Sequence, residues 1–225
     1  MMIGRLQRAN GALELGYAAE RGETRLAHLY QSDPCRALFP RGELDDVDQT
    51  VLLTTSGGLA GGDRIRMQVR CGPGARQVVT PQAAEKIYRA IDAATEIEID
   101  LQVAPGAWLE WVPQETILFD RSRLRRRVQI DVAAGGTLLA GDILSFGRAA
   151  HGESYGEGAL FDRWEVCCDG RLVWADRLRL DDPKRALAHP AGFAGARAYG
   201  TIVHVGAEAA SYLPAIRAAI EAGGT

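Results

Sequence analysis

Apolar and polar residues alternate one for one along much of this chain, the spacing of strands with one buried face. The cleanest case is 96–103, where Glu96, Glu98, Asp100 and Gln102 interleave with Ile97, Ile99, Leu101 and Val103. Residues 127–132 repeat the design, with Arg127, Gln129 and Asp131 set against Val128, Ile130 and Val132. Residues 13–17 and 25–30 read as two further strands.

These strands fall into a repeat: an alternating strand, a tight glycine turn, then a second, more apolar strand. The turn glycines are Gly74, Gly106, Gly136 and Gly170, spaced 32, 30 and 34 residues apart. Pro73-Gly74-Ala75 matches Pro105-Gly106-Ala107, and Pro81-Gln82 matches Pro113-Gln114; the copy around Gly170 is the weakest. Unrelated hairpins would show the same turns, but the near-constant spacing favours stacked coils, each burying its apolar face on the next. Helix is scarce. Residues 81–86 suit a short turn, and 181–195 an exposed connection. Residues 207–222 carry the one helical pattern, with Leu213, Ile216 and Ile220 recurring at helical spacing and Gly223-Gly224 to stop it. The expected fold is mainly β: a β-helix or solenoid-like winding of stacked coils with few helices, one near the C-terminus, in a single domain over 1–225.

Composition narrows the picture mostly by exclusion. A chain of 225 residues buries a core without disulfide staples. A net charge of −3 creates no global basic field for nucleic acid or anionic membrane. Lys86 and Lys184 are the only lysines, so the positive charge is almost all arginine, whose planar fork suits carboxylates at protein interfaces. Cys35, Cys71, Cys167 and Cys168 show no repeated spacing, and adjacent cysteines seldom bridge, so no secreted disulfide framework is expected. No stretch approaches the roughly 20 apolar residues of a membrane span. Residues 1–8 lack the apolar core of a signal peptide. The expected location is cytoplasmic.

Candidate chemistry begins with the loop holding Gly57, Gly58, Gly61 and Gly62, directly behind the apolar run Val51-Leu52-Leu53. A P-loop would continue with Lys and then Ser or Thr, but Asp63 and Arg64 follow, and a carboxylate there repels phosphate. Leu59 breaks the dinucleotide fingerprint, and a strand follows where a helix belongs. The glycines instead suit a tight passage where side chains would not fit.

His28, His151, His189 and His204 lie far apart, and HExxH, CxxC and GxSxG are absent. Among carboxylates, Asp63, Glu85, Glu110, Glu115, Asp120, Asp142 and Glu153 lie near glycines, prolines or aromatics. Arg121, Arg123, Arg125 and Arg127 share one face if extended. Such a ladder serves as a charged edge strand against aggregation, as a docking strip for an acidic partner, or as a grip on phosphates.

Four phrases in order resemble one family: residues 56–63 (Ser-Gly-Gly-Leu-Ala-Gly-Gly-Asp), 80–89, 109–120, and 147–153 followed by Gly158. Over roughly residues 10–205 the chain is similar to the urease accessory protein UreD, called UreH in some bacteria. The resemblance implies a largely β, solenoid-like fold and a scaffold rather than an enzyme. It implies binding to the urease apoprotein and to UreF, through which the GTPase UreG is recruited, and assistance in nickel insertion into the urease active site. No cofactor is expected to bind tightly; a nickel ion would pass transiently, and sparse oxygen ligands suit transit better than a Cys or His cage. Asp63, Glu85, Glu115, Asp142 and Glu153 are the expected lining of a polar nickel passage. No nucleic-acid or membrane partner is expected. Family members usually continue beyond the position of Thr225, so the family's C-terminal segment is expected to be missing. Two other readings are a carbohydrate-active β-solenoid enzyme using a carboxylate pair, and a nucleic-acid-binding β module using the arginine ladder.

Overall fold

The computed structural model describes residues 8–40 and 47–223, so residues 1–7, read above for a leader, lie outside it. Strand β1 (Asn10–Glu20) turns back on β2 (Glu23–Gln31), and β3 (Cys35–Leu38) pairs antiparallel with β4 (Gln49–Thr54). The chain then winds. Strand β5 (Arg64–Cys71) leads to β6 (Arg76–Pro81) and β7 (Glu85–Ile87); β8 (Thr95–Val103) leads to β9 (Trp108–Trp111) and β10 (Thr116–Leu118). A third coil runs from β11 (Arg123–Val132) to β12 (Thr137–Phe146). Strand β13 (Ala159–Cys168) is followed by β14 (Arg171–Leu180), helix α1 (Pro183–Ala188), β15 (Ala198–Val205) and helix α2 (Leu213–Gly223).

Each glycine turn of the winding carries the chain from one sheet to the other. The first sheet has the order β14-β13-β11-β8-β5-β1-β2, and β5, β8, β11 and β13 run parallel. The second holds β3, β4, β6, β9, β12, β10 and β7, with β15 antiparallel on β12. The expected β-solenoid of stacked coils is what forms, with its apolar faces turned inward. Leu15, Val69, Leu101 and Ile130 from the first sheet meet Val79, Leu109, Leu138 and Ala140 from the second, all buried. Burying a large aliphatic side chain in such a core contributes about 1.5–3 kcal/mol.

Three sequence expectations need correction. The third turn uses Gly135 (φ 77°) rather than Gly136, in line with Gly74 (φ 71°) and Gly106 (φ 69°). These turns stack, the Gly106 amide donating to the Gly135 carbonyl at 3.0 Å. The copy around Gly170 is no coil but an antiparallel hairpin between β13 and β14, because β14 stays in the first sheet as its edge. The arginine-rich strand is not an edge either: β11 lies inside the sheet between β8 and β13. Its charges are tolerated because Arg123, Arg125 and Arg127 point to the solvent face and the inward Arg126 is paired with carboxylates.

The expected C-terminal helix is present, a 3-10 turn (Ala209–Tyr212) leading into α2, but Leu213, Ile216 and Ile220 remain exposed. All four cysteines are free thiols.

Candidate functional site

The second sheet is split. Strands β6 and β9 pair with each other and β7 with β10, but the ladder is interrupted between the two pairs. Pro81 ends β6 and Pro113 follows β9, two residues past the register pair Val79 and Trp111. Proline has no amide hydrogen to donate, so two prolines side by side in successive coils break the ladder there. Strand β12 runs past the break, pairing β9 through Thr137–Ala140 and β10 through Leu144–Phe146. That leaves Asp142 opposite the gap. A cavity of about 220 Å³ occupies this place between the sheets, lined by residues 81–86, Gly57 and Gly58, Trp111, Pro113 and Gln114, and, deeper, Ile97, Val128, Arg126, Asp142 and Trp164.

The glycine loop forms part of this wall. A Cβ on Gly58 would sit 2.7 Å from the Tyr88 ring, and one on Gly61 would sit 2.4 Å from the Ala93 carbonyl oxygen. The loop is a tight passage at Gly58 and Gly61, whereas Gly57 has room for a Cβ.

The chemistry of the cavity centres on Arg126. Its Nε and Nη2 donate to the two carboxylate oxygens of Asp162 at 2.8 and 2.7 Å, and its Nη1 meets Asp142 and, at 3.4 Å, the Thr116 hydroxyl. All four residues are buried. Asp142 also accepts from the Ile143 amide at 2.8 Å, and Trp164 Nε1 donates to Asp162 at 3.3 Å. One guanidinium shared by two carboxylates takes all three groups out of water beside the cavity, whose lining also includes Lys86. Desolvation of that kind is tolerated only when the ions are paired and hydrogen-bonded, as they are here.

Glu85, on β7 at the cavity wall, is the other charged group of interest. Burial pushes its carboxyl up to about 7, opposed by hydrogen bonds from the Thr54 hydroxyl (3.3 Å) and the Lys86 amide (3.2 Å). It therefore changes charge near neutral pH.

Of the five carboxylates expected in a polar passage, the cavity brings together Glu85 and Asp142. Glu115 contributes its backbone carbonyl to the Glu85 amide, and its carboxylate forms no hydrogen bond among the described residues. Glu153 lies in the loop after β12, where it accepts from the Asp120 amide at 3.0 Å and pairs with Arg148, which holds its carboxyl below the usual range. Asp63 is buried beside the glycine loop, with one oxygen accepting from the Ala9 amide (2.9 Å) and the other from the Ala60 amide (2.7 Å). Asp120 accepts from the Gly156 and Glu157 amides, and Glu110 from Trp108 Nε1, so these carboxylates are engaged in holding loops and strands. No group of three His, Cys, Asp or Glu side chains placed to hold a metal occurs among the described residues.

Arg126 and Asp162 escaped the search for chemistry by motif. Period two would have found them: Arg126 stands between Leu124 and Val128, and Asp162 between Leu160 and Trp164, in positions that face inward.

Fold and cavity define a two-sheeted β-solenoid with a charged interior cavity opening through a split sheet. Residues 9–225 match the UreD urease accessory protein family. The chain is 44% identical over 212 residues to the urease accessory protein UreD of Magnetococcus marinus, covering 94% of this chain and 73% of that protein. It is 46% identical to urease accessory protein UreD 3 of a Bradyrhizobium species, covering 90% of this chain and 73% of the relative. It is 45% identical to the UreD of a Methylobacterium species, covering 98% and 78%. The chain belongs to the UreD family of urease accessory proteins.

Proposed function

We propose that this chain is a non-catalytic, cytoplasmic scaffold of urease maturation. It binds the urease apoprotein and UreF, and UreG through UreF, and helps a nickel ion reach the urease active site. Family membership supports the role in urease maturation. The observation that carries the nickel reading is the cavity at the split in the second sheet, where Glu85 and Asp142 supply oxygen atoms beside Lys86 and Arg126. Nickel is cargo in this scheme. A conduit must attract the ion without trapping it, and a few carboxylates, one of them held neutral below about pH 7, bind a first-row metal more weakly than thiolates or imidazoles would.

The test is a pull-down from cells expressing the urease subunits and UreF, with the nickel content of urease measured. The expected result is co-purification of this chain with both partners, and urease that is made but nickel-free when the chain is deleted. Fully active urease in the deletion strain overturns the proposal.

A further inference from the structure

We infer that the outer face of the first sheet is a docking surface for an acidic protein. The strand register lays two rows of side chains across this face. One row reads Arg64, Glu96, Arg125, Phe161, Arg179; the next, two residues along each strand, reads Arg66, Glu98, Arg127, Arg163, Arg177. The two rows hold seven arginines and two glutamates, on a chain whose formal net charge is −3. With strands about 4.8 Å apart, each row spans roughly 20 Å. Positive charge is therefore in excess over these two rows, and the row that follows carries Asp100 and Glu165.

Most carboxylates nearby are already engaged, Asp100 in the following row being the exception among the described residues. Glu96 bonds Arg64 at 2.9 Å and Glu98 bonds Arg66 at 3.1 Å, both directed away from β11. Glu165, in the following row, is shared by Arg163 and Arg177, and Asp181 takes Arg179 at 2.8 Å. Arg125 and Arg127, at the centre, have no carboxylate within ion-pair distance among the described residues. Arg127, Arg163 and Arg177 stand abreast on three adjacent strands; Glu165 offsets the last two, while Arg127 meets only the Gln129 side-chain oxygen and keeps its like-charge repulsion with them. Carboxylates from a partner would relieve that repulsion, and the guanidinium fork is the side chain best shaped to receive them.

Protein rather than nucleic acid fits the face. Glu96, Glu98 and Asp100 stand in one column along β8, the first two paired and Asp100 without an ion-pair partner among the described residues, and Phe161 is the one aromatic in the two rows. A continuous phosphate backbone would have to cross that column, and a base would find little to stack on. A folded protein can place individual carboxylates over Arg125 and Arg127 and avoid the column.

The experiment uses the whole chain, as wild type, as R125E/R127E, and as a control R185E/R217E on the exposed surfaces of α1 and α2. Each is titrated with a fluorescent poly-glutamate peptide of about twenty residues and with single-stranded DNA of matched length, over a range of salt, after a melting curve confirms folding. Poly-glutamate should bind wild type and the control alike, weaken as salt rises, and lose roughly ten-fold or more in affinity to R125E/R127E. Absent binding to wild type, or binding that R125E/R127E leaves unchanged, overturns the inference. So does DNA that binds more tightly than the peptide and is lost in R125E/R127E, which would assign the face to nucleic acid. The nickel reading does not depend on this outcome, because it is judged by the metal content of urease.

Discussion

Arg126 and Asp162 are register partners on neighbouring parallel strands, and their side chains close a two-bond clamp of 2.8 and 2.7 Å inside the sandwich. Asp142 reaches the same guanidinium from the opposite sheet, so this group of ions ties the two layers together. Arg126 is the one cation of this group, so removing it leaves two buried carboxylates uncompensated, which costs about 3–5 kcal/mol. Arg126→Met should therefore lose stability on that scale in urea unfolding. The triple variant Arg126→Met, Asp142→Leu, Asp162→Leu should recover most of the loss, because no buried charge remains. If Arg126→Met unfolds at the wild-type urea midpoint, the clamp contributes nothing.

Glu85 sets a pH dependence. Its carboxyl titrates at about 7 in the folded protein and at the ordinary value of 4.5 in the unfolded chain. Between those values the folded state holds a proton that the unfolded state has released. Stability from this group is thus fully present below pH 4.5, falls as pH rises through 7, and is level beyond. Glu85→Gln removes this contribution to the slope. Between pH 5 and pH 8 the variant should gain on wild type by something on the order of 2 kcal/mol, allowing for the partly open setting of the side chain. Denaturant curves at the two pH values check this, and parallel changes in both proteins would refute it.

Two glycines separate space from backbone conformation. Gly61→Ala would press a methyl against the Ala93 carbonyl oxygen at 2.4 Å, a backbone atom with little freedom to retreat. Gly22 has φ +85° with nothing within 4 Å, so its alanine variant meets only the penalty of a left-handed residue. Gly61→Ala should cost about 2–3 kcal/mol and Gly22→Ala about 1 kcal/mol. Thermal melts that rank them the other way would show that the glycine loop repacks easily.

Much of this fold is legible in the sequence because a strand with one buried face writes itself in period two, and stacked coils write themselves as a spacing. Ile97 to Val103 and Val128 to Val132 are inward exactly where alternation puts them. What alternation leaves open is which strands are neighbours. Nothing local tells the hairpin at Gly170 from the sheet-crossing turn at Gly106, and nothing local places β11 inside its sheet. The cavity was illegible for the same reason. Pro81 and Pro113 are 32 residues apart and break the same part of the ladder only once the coils have stacked. Glu85 and Asp142 were flagged by the sequence, but their common cavity belongs to the winding.

Asp63 distinguishes a wall from a conduit. Both of its carboxylate oxygens are spent on backbone amides, Ala9 at 2.9 Å and Ala60 at 2.7 Å, which fastens the glycine loop to the start of β1. Asp63→Ala leaves both amides without their acceptor, a loss of about 1–3 kcal/mol. Asp63→Asn keeps one oxygen but turns an amide nitrogen toward a donor, so it should fall in the same range. If Asp63 only braces the wall, urease activation per folded molecule should stay at the wild-type level in both variants, while their melting temperatures drop. Loss of nickel loading at unchanged stability would show the reverse, and would put this carboxylate in the path of the ion.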